Sequence, residues 1–197
     1  MDVATLFRAV PSELQLAGDG RTVEGVVVPY DEPADVVDEY GPTPGEVAAY
    51  REVFTDVSFA RQLQGFAARP ALMMRIALNL DHRRELDREV GFTQAVESTP
   101  AGLVARFRLR PTANLDLVRA MLAETHTGLS VECRLLKSRV RPDGVVERRT
   151  VELAGVAATP TPAYAGAGIT AMRAADDDAT RPTPALDAIR DRWGFAD

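Results

Sequence analysis

Apolar and polar positions alternate, at least in part, through four segments of the chain: 21–30 (RTVEGVVVPY), 72–78 (LMMRIAL), 87–97 (DREVGFTQAVE) and 102–110 (GLVARFRLR). Each is rich in β-branched and aromatic residues, and a two-residue period with that composition predicts strands. Proline and glycine in STPAG, between the third and fourth segments, and in RPDG at 141–144 predict hairpin turns, because proline pre-sets φ and glycine accepts positive φ. Two stretches carry helical spacing instead. One is 56–66 (DVSFARQLQGF), opened by Asp56 as a candidate N-cap. The other is 113–124, where Leu115, Val118, Met121 and Leu122 share one side behind Asn114 as a candidate cap. In TGLSVECRLL, 127–136, the alternation is strict: Leu129, Val131, Cys133 and Leu135 fall on one face, Ser130, Glu132 and Arg134 on the other. The acidic segment 31–47, broken by prolines and glycines, reads as an exposed loop and a candidate lid or binding loop.

From about residue 173 the composition changes to an acidic, proline-containing stretch that cannot bury enough apolar surface to order itself. The expected organisation is therefore one domain over 1–172 and a flexible tail over 173–197. Within the tail, Leu186, Ile189 and Trp193 stand at helical spacing, which allows a short helix near 185–195. Hydrophobic residues make up 46% and charged residues 26% of the chain, as in ordinary globular proteins. No apolar run approaches the roughly 20 residues that span a bilayer. The first residues lack a basic start followed by an apolar stretch, so no secretory signal is read and a cytoplasmic location is expected. A net charge of −6 gives no general attraction for nucleic acid. One cysteine, Cys133, excludes an internal disulfide and a cysteine-rich metal site, and no cofactor or metal is expected.

Acid–base chemistry near neutral pH falls most naturally to histidine, and the chain has only two. His82 follows LMMRIALNLD and so stands at the exit of an apolar strand, where a scaffold can hold an imidazole and leave it reachable. His126 stands in the turn ETHTG before the next strand. Ser130 lies on the polar face of that strand. If the apolar face lines a closed barrel, its hydroxyl points outward, toward any extended peptide.

The order of these features is similar to that of the tailed-phage prohead protease family. The resemblance spans roughly residues 21–172 and rests on VEGVVVPYDEP, YREVFTDVSFARQL, LNLDH at 78–82, VGFTQAVESTPAGLVARFRL at 90–109, GLSVECR at 128–134 and VELAGVAATPTPAY at 151–164. It implies an α+β fold shared with the herpesvirus assembly proteases, a closed mixed β-barrel flanked by helices, with the serine and histidine on neighbouring strands of its outer wall. It also implies Ser130 as nucleophile and His82 as general base. The substrates would be scaffold and major coat protein, cut inside an assembling procapsid together with the enzyme itself, and self-association would be a means of control. No Gly-x-Ser-x-Gly elbow surrounds Ser130, so the α/β-hydrolase arrangement is not expected.

One departure concerns the group that orients the histidine. Many members of the family carry Glu-Val-Ser before the Pro-Ala stretch, where this chain has Gly155-Val-Ala. Glu152 is the first candidate for the orienting carboxylate: Val151 and Leu153 alternate inward, so Glu152 faces the side of Ser130 if the strands pair without a bulge. An ordinary cross-strand partner for an arginine is the other role open to it. Glu132 and His126 are alternatives. Asp81, next to His82, would point the other way on an extended chain. Gly128, Arg134, Arg148 and Arg149 are the groups near enough in sequence to assist an oxyanion, though most such arginines are simply solvated. A catalytically silent barrel that binds coat protein as a scaffold is the alternative that Gly155 keeps open. A lipocalin-like ligand barrel is disfavoured by the two helical segments.

Overall fold

The computed structural model describes residues 21–173 apart from 44, 84, 86, 87 and 113. Its elements are β1 (Thr22–Pro29), β2 (Ala34–Asp38), β3 (Ala48–Phe54), α1 (Ala60–Ala68), a 3-10 helix (Pro70–Arg75), β4 (Ala77–Leu80), β5 (Glu89–Thr99), β6 (Gly102–Leu109), α2 (Leu115–Glu124), β7 (Gly128–Val140), β8 (Val146–Thr159) and β9 (Gly168–Arg173). Seven strands close a mixed barrel in the order β8-β4-β5-β6-β1-β9-β7, with β7 returning to β8. The β4–β8 pair is parallel and the other barrel pairs are antiparallel. β3 adds parallel to the far end of β8, and β2 pairs with β3 to form an outer flap. The interior is filled by alternate residues such as Val23, Val27, Leu78, Leu80, Leu103, Phe107, Leu129, Val156 and Ala158. This is the closed mixed barrel with flanking helices that the strand pattern and the resemblance led one to expect.

Several local expectations are corrected. The apolar run 72–78 is not one strand: Pro70–Arg75 forms the 3-10 helix, and the strand is the four-residue β4. Proline suits the first helical turn, where its missing N–H costs nothing, and an apolar run alone does not separate helix from strand. The loop expected at 31–47 contains β2, whose five residues pair with β3 from Ala34↔Glu52 to Asp38↔Ala48. Its acidic side chains suit a sheet edge, where charge discourages further pairing. Asp56 does not cap α1, which starts at Ala60 behind Phe59; Ser58 turns inward and donates to Arg148 O at 2.5 Å. Asn114 does occupy the N-cap position of α2 but makes no side-chain cap bond. The RPDG turn forms as expected, with Gly144 at φ 81°. The expected tail and its helix at 185–195 lie outside the described residues.

The barrel closes through close backbone approach. A Cβ on Gly25 of β1 would stand 2.3 Å from Gly168 O of β9 and 2.7 Å from a Leu129 methyl of β7. β7 and β9 pair only at Gly128↔Gly168. Gly25→Ala should therefore lower unfolding stability by about 1–3 kcal/mol, as overpacking does, read as an earlier midpoint in urea. An unchanged midpoint would mean that the seam can widen freely.

Two charged clusters hold the flap and the β7–β8 hairpin. Arg148 is almost fully buried and donates to Glu52 Oε2 at 2.6 Å, Tyr40 O at 3.0 Å, Ser138 Oγ at 3.1 Å and the Tyr50 hydroxyl at 2.5 Å. Glu147 accepts from Arg139 at 2.7 Å, Arg141 at 2.8 Å and Arg149 at 2.9 Å. Hydrogen bonds from Arg141 and Arg139, above all, lower its carboxyl from the ordinary 4.5 to about 2. A depressed carboxylate stabilises the fold above its unfolded value and loses that contribution as pH falls through the folded value. The hairpin should thus weaken between pH 4.5 and about 2. Urea midpoints across that range should fall, and Glu147→Gln should flatten the decline; an equal decline in the variant would assign it to other carboxylates.

Candidate active site

β4, β8 and β7 lie side by side, and their register sets two rows across the barrel wall. Ser130 stands opposite Ala157, which stands opposite Asn79. Glu132 stands opposite Gly155, which stands opposite Ala77. Cross-strand partners project to the same face, so Ser130, Glu132 and Asn79 share the wall away from the core residues Leu129, Val156, Leu78 and Leu80.

His82 comes to this face through a tight turn. Beyond β4, Arg83 N donates to Leu80 O at 3.1 Å, and the two residues between, Asp81 and His82, have φ of 54° and 59°. Positive φ at both central positions is the signature of a type I′ hairpin turn, normally built from Asn-Gly or Gly-Gly. Placing L-residues there costs about 1–2 kcal/mol each. Strain of that kind persists where the surroundings over-determine it, and it concentrates at functional sites.

The surroundings here are a backbone bond from Asp81 N to Ala158 O at 3.0 Å and two side-chain links. His82 Nδ1 lies 3.3 Å from Glu132 Oε1, and Asn79 Nδ2 donates to the same oxygen at 3.3 Å. The Glu132 side chain is 11% exposed and His82 46%, so the carboxylate sits beneath a reachable imidazole. On the other side, His126 Nε2 and Asp81 Oδ2 are 3.2 Å apart, and His126 Nδ1 lies 2.9 Å from Thr125 Oγ1. His126 therefore braces the turn through Asp81 and does not touch His82. Asp81 leaves the extended path of the strand and faces His126.

Glu132 reaches His82 because Gly155 has no side chain. A Cβ at Gly155 would stand 2.6 Å from Glu132 Oε2 and 3.2 Å from its carboxyl carbon. Gly155, where the resemblance led one to expect a carboxylate on β8, is thus the space through which a carboxylate from β7 crosses. Glu152 is elsewhere. β8 carries a bulge, since Glu132↔Gly155 is followed by Cys133↔Leu153, leaving Ala154 as the extra residue. Beyond it Glu152 stands directly opposite Arg134, with their charged groups 3.5 Å apart. Of the arginines considered for an oxyanion, Arg134 is held there, Arg149 is on Glu147 and Arg148 is buried in the flap network rather than solvated.

A carboxylate at Nδ1 holds the proton on that nitrogen and leaves Nε2 as the acceptor, which is the tautomer a general base needs. Among the described residues Ser130 Oγ has no hydrogen-bond partner, so its bond to His82 is not formed in this structure. Such bonds are often long before substrate binds. Past the Gly128↔Gly168 pair, β7 has no ladder partner on its β9 side among the described residues. Leu129 N–H points to that side, toward Ala167 O, so by alternation Val131 and Cys133 present their backbone groups at an open edge beside Ser130. Asn79 and Gly155 were not assigned these roles from sequence; only the register places them together. No family model matches the chain, and no curated protein matches it significantly. Among the described residues no helix is long and apolar enough to cross a membrane, and no group of acidic, histidine or cysteine side chains is arranged to hold a metal ion.

Proposed function

We propose that the chain is a serine endopeptidase of the prohead-maturation kind, which cuts scaffold and major coat protein, and itself, inside an assembling viral capsid in the host cytoplasm. The observation that carries this reading is the Glu132–His82 contact on the barrel wall that also bears Ser130. An extended substrate lies along the open edge of β7, where main-chain pairing gives register. His82 Nε2 takes the Ser130 Oγ proton as the oxygen attacks the scissile carbonyl. The same nitrogen then gives that proton to the leaving amine, and water repeats the sequence to free the acyl enzyme. Glu132 stabilises the imidazolium between the two transfers, and Asn79 holds the carboxylate in place. The missing Ser130 hydrogen bond favours a second reading, a silent barrel that binds coat protein as an internal scaffold.

Co-expression with the coat and scaffold proteins of the same virus separates the two. Intact masses are compared for wild type, Ser130→Ala and His82→Ala. Shortened coat or scaffold with wild type alone is the expected result. Identical products from all three would reject this site, and intact coat in normal shells with all three would leave the scaffold reading.

A further inference from the structure

β3 pairs with β8 only over Val146–Arg148 and β4 only from Gly155 onward, so the middle of β8 has no strand on that side. The Gln62 side chain of α1 and the backbone of the turn before it fill the gap. Gln62 donates to Leu153 O at 2.9 Å and accepts from Leu153 N at 2.7 Å, and Ser58 O accepts from Val151 N at 3.0 Å. Above this patch a groove of about 400 Å³ remains open, a volume within the range of ligand sites. Its floor is apolar, made by Phe66, Ile76, Val151 and Leu153, all buried.

Its rim is cationic. Arg61 and Arg75 line it, both exposed, and neither has an acidic partner among the described residues. The carboxylate at the rim, Glu152, is engaged by Arg134. Gly65, in the middle of α1, also lines the groove, and a Cβ built there would meet nothing within 4 Å. Glycine at an exposed helix interior weakens the helix without any steric reason here, and local rules broken in this way tend to mark functional surface.

We propose that this groove is a specificity subsite for an extended peptide bearing an apolar side chain followed by a carboxylate. The inference rests on the peptidase reading and adds to it the chemistry of the substrate segment. Ala154 and Ile76 at the groove adjoin Gly155 and Ala77 in the catalytic wall. Ala154 is three residues along β8 from Ala157, the partner of Ser130, which is about 10 Å at strand rise. The groove opens on the side of β8 away from β7, about two strand spacings or 10 Å across the wall. A substrate that leaves the β7 edge and crosses the outer face of β7 and β8 therefore reaches it about four positions from the scissile bond. Its apolar part covers the floor, and the carboxylate lies between Arg61 and Arg75.

The test uses the full chain carrying Ser130→Ala, so that bound peptide is not turned over. The probe is a fluorescein-labelled octapeptide of alanine and serine with one leucine followed by one glutamate, and the readout is fluorescence anisotropy. Binding should weaken at least tenfold when lysine replaces the glutamate, and Arg61→Glu with Arg75→Glu should reverse that preference. Gly65→Leu should also weaken binding at least tenfold while the thermal midpoint stays at or above the parent's. No binding by the parent, or equal binding by parent and Gly65→Leu, would overturn the subsite. Coat cleavage separates the two levels: cutting undiminished by Gly65→Leu sinks the subsite alone, whereas cutting that survives Ser130→Ala sinks the peptidase reading.

Discussion

In the peptidase proposed here, Glu132→Gln is expected to lower peptide-bond cleavage by roughly 10³-fold with little change in KM. Losing the carboxylate behind a catalytic histidine removes the required tautomer and the support for the imidazolium, and about 10⁴-fold is seen where the pair is fully buried. His82 is half exposed, so water recovers part of that effect. The arrangement of Glu132 opposite Gly155 permits a sharper test. Glu132→Gly should be as impaired as glutamine or worse. Gly155→Glu alone should be destabilised, because the new side chain enters space already held by the Glu132 carboxylate and two like charges would share it. The double exchange, Glu132→Gly with Gly155→Glu, moves the carboxylate across one cross-strand pair and should return activity to within about tenfold of wild type. A folded double variant as inactive as Glu132→Gly would show that the carboxylate's strand of origin matters, and the account of Gly155 given above would fail.

Arg148→Ala is the second large effect, on stability rather than chemistry. The guanidinium is 1% exposed and meets Glu52, which is 12% exposed, in the interior between the flap and the barrel. Glu52 also accepts from the Tyr164 hydroxyl at 3.0 Å, and Tyr50 donates to Asp38 at 2.6 Å, so among the described residues the arginine is the cation that these acceptors share. Removing one partner of a buried ion pair leaves the other charge uncompensated and costs about 3–5 kcal/mol. The urea midpoint should drop accordingly, with β2 and β3 losing hydrogen-exchange protection first. Arg148→Met combined with Glu52→Leu should cost much less than the arginine change alone, because no unpaired charge remains. Equal losses for the single and double variants would indicate that packing, and not charge pairing, holds the flap. Burial, reinforced by Asp38 for Tyr50 and by Glu52 for Tyr164, raises both phenols well above their ordinary values, so they remain donors throughout the neutral range.

The sequence by itself determined the alternation of TGLSVECRLL, which separates Leu129 inside from Ser130 and Glu132 outside, because strand period is a local property. It likewise determined the existence of β1, β5 and β6 and the turns between strands, and it brought His82 to the end of an apolar strand. It left the segment 70–76 ambiguous, since LMMRIAL satisfies both strand and buried-helix patterns and Pro70 tips it locally. Only the tertiary structure decided which carboxylate serves His82. Glu152 and Glu132 both alternate outward in sequence, and a single extra residue at Ala154 sends one to Arg134 and leaves the other opposite a glycine. Side-chain neighbours across strands depend on register, and register is fixed by bulges and by non-local pairing such as β4 with β8, seventy-eight residues apart at Ala77↔Gly155. Asp81 and His82 show the same division. Their identities are plain in the sequence, but the left-handed turn that points one toward His126 and the other toward Glu132 exists because contacts from the α2–β7 turn, from β7 and, through Asp81 N to Ala158 O, from β8 converge on it.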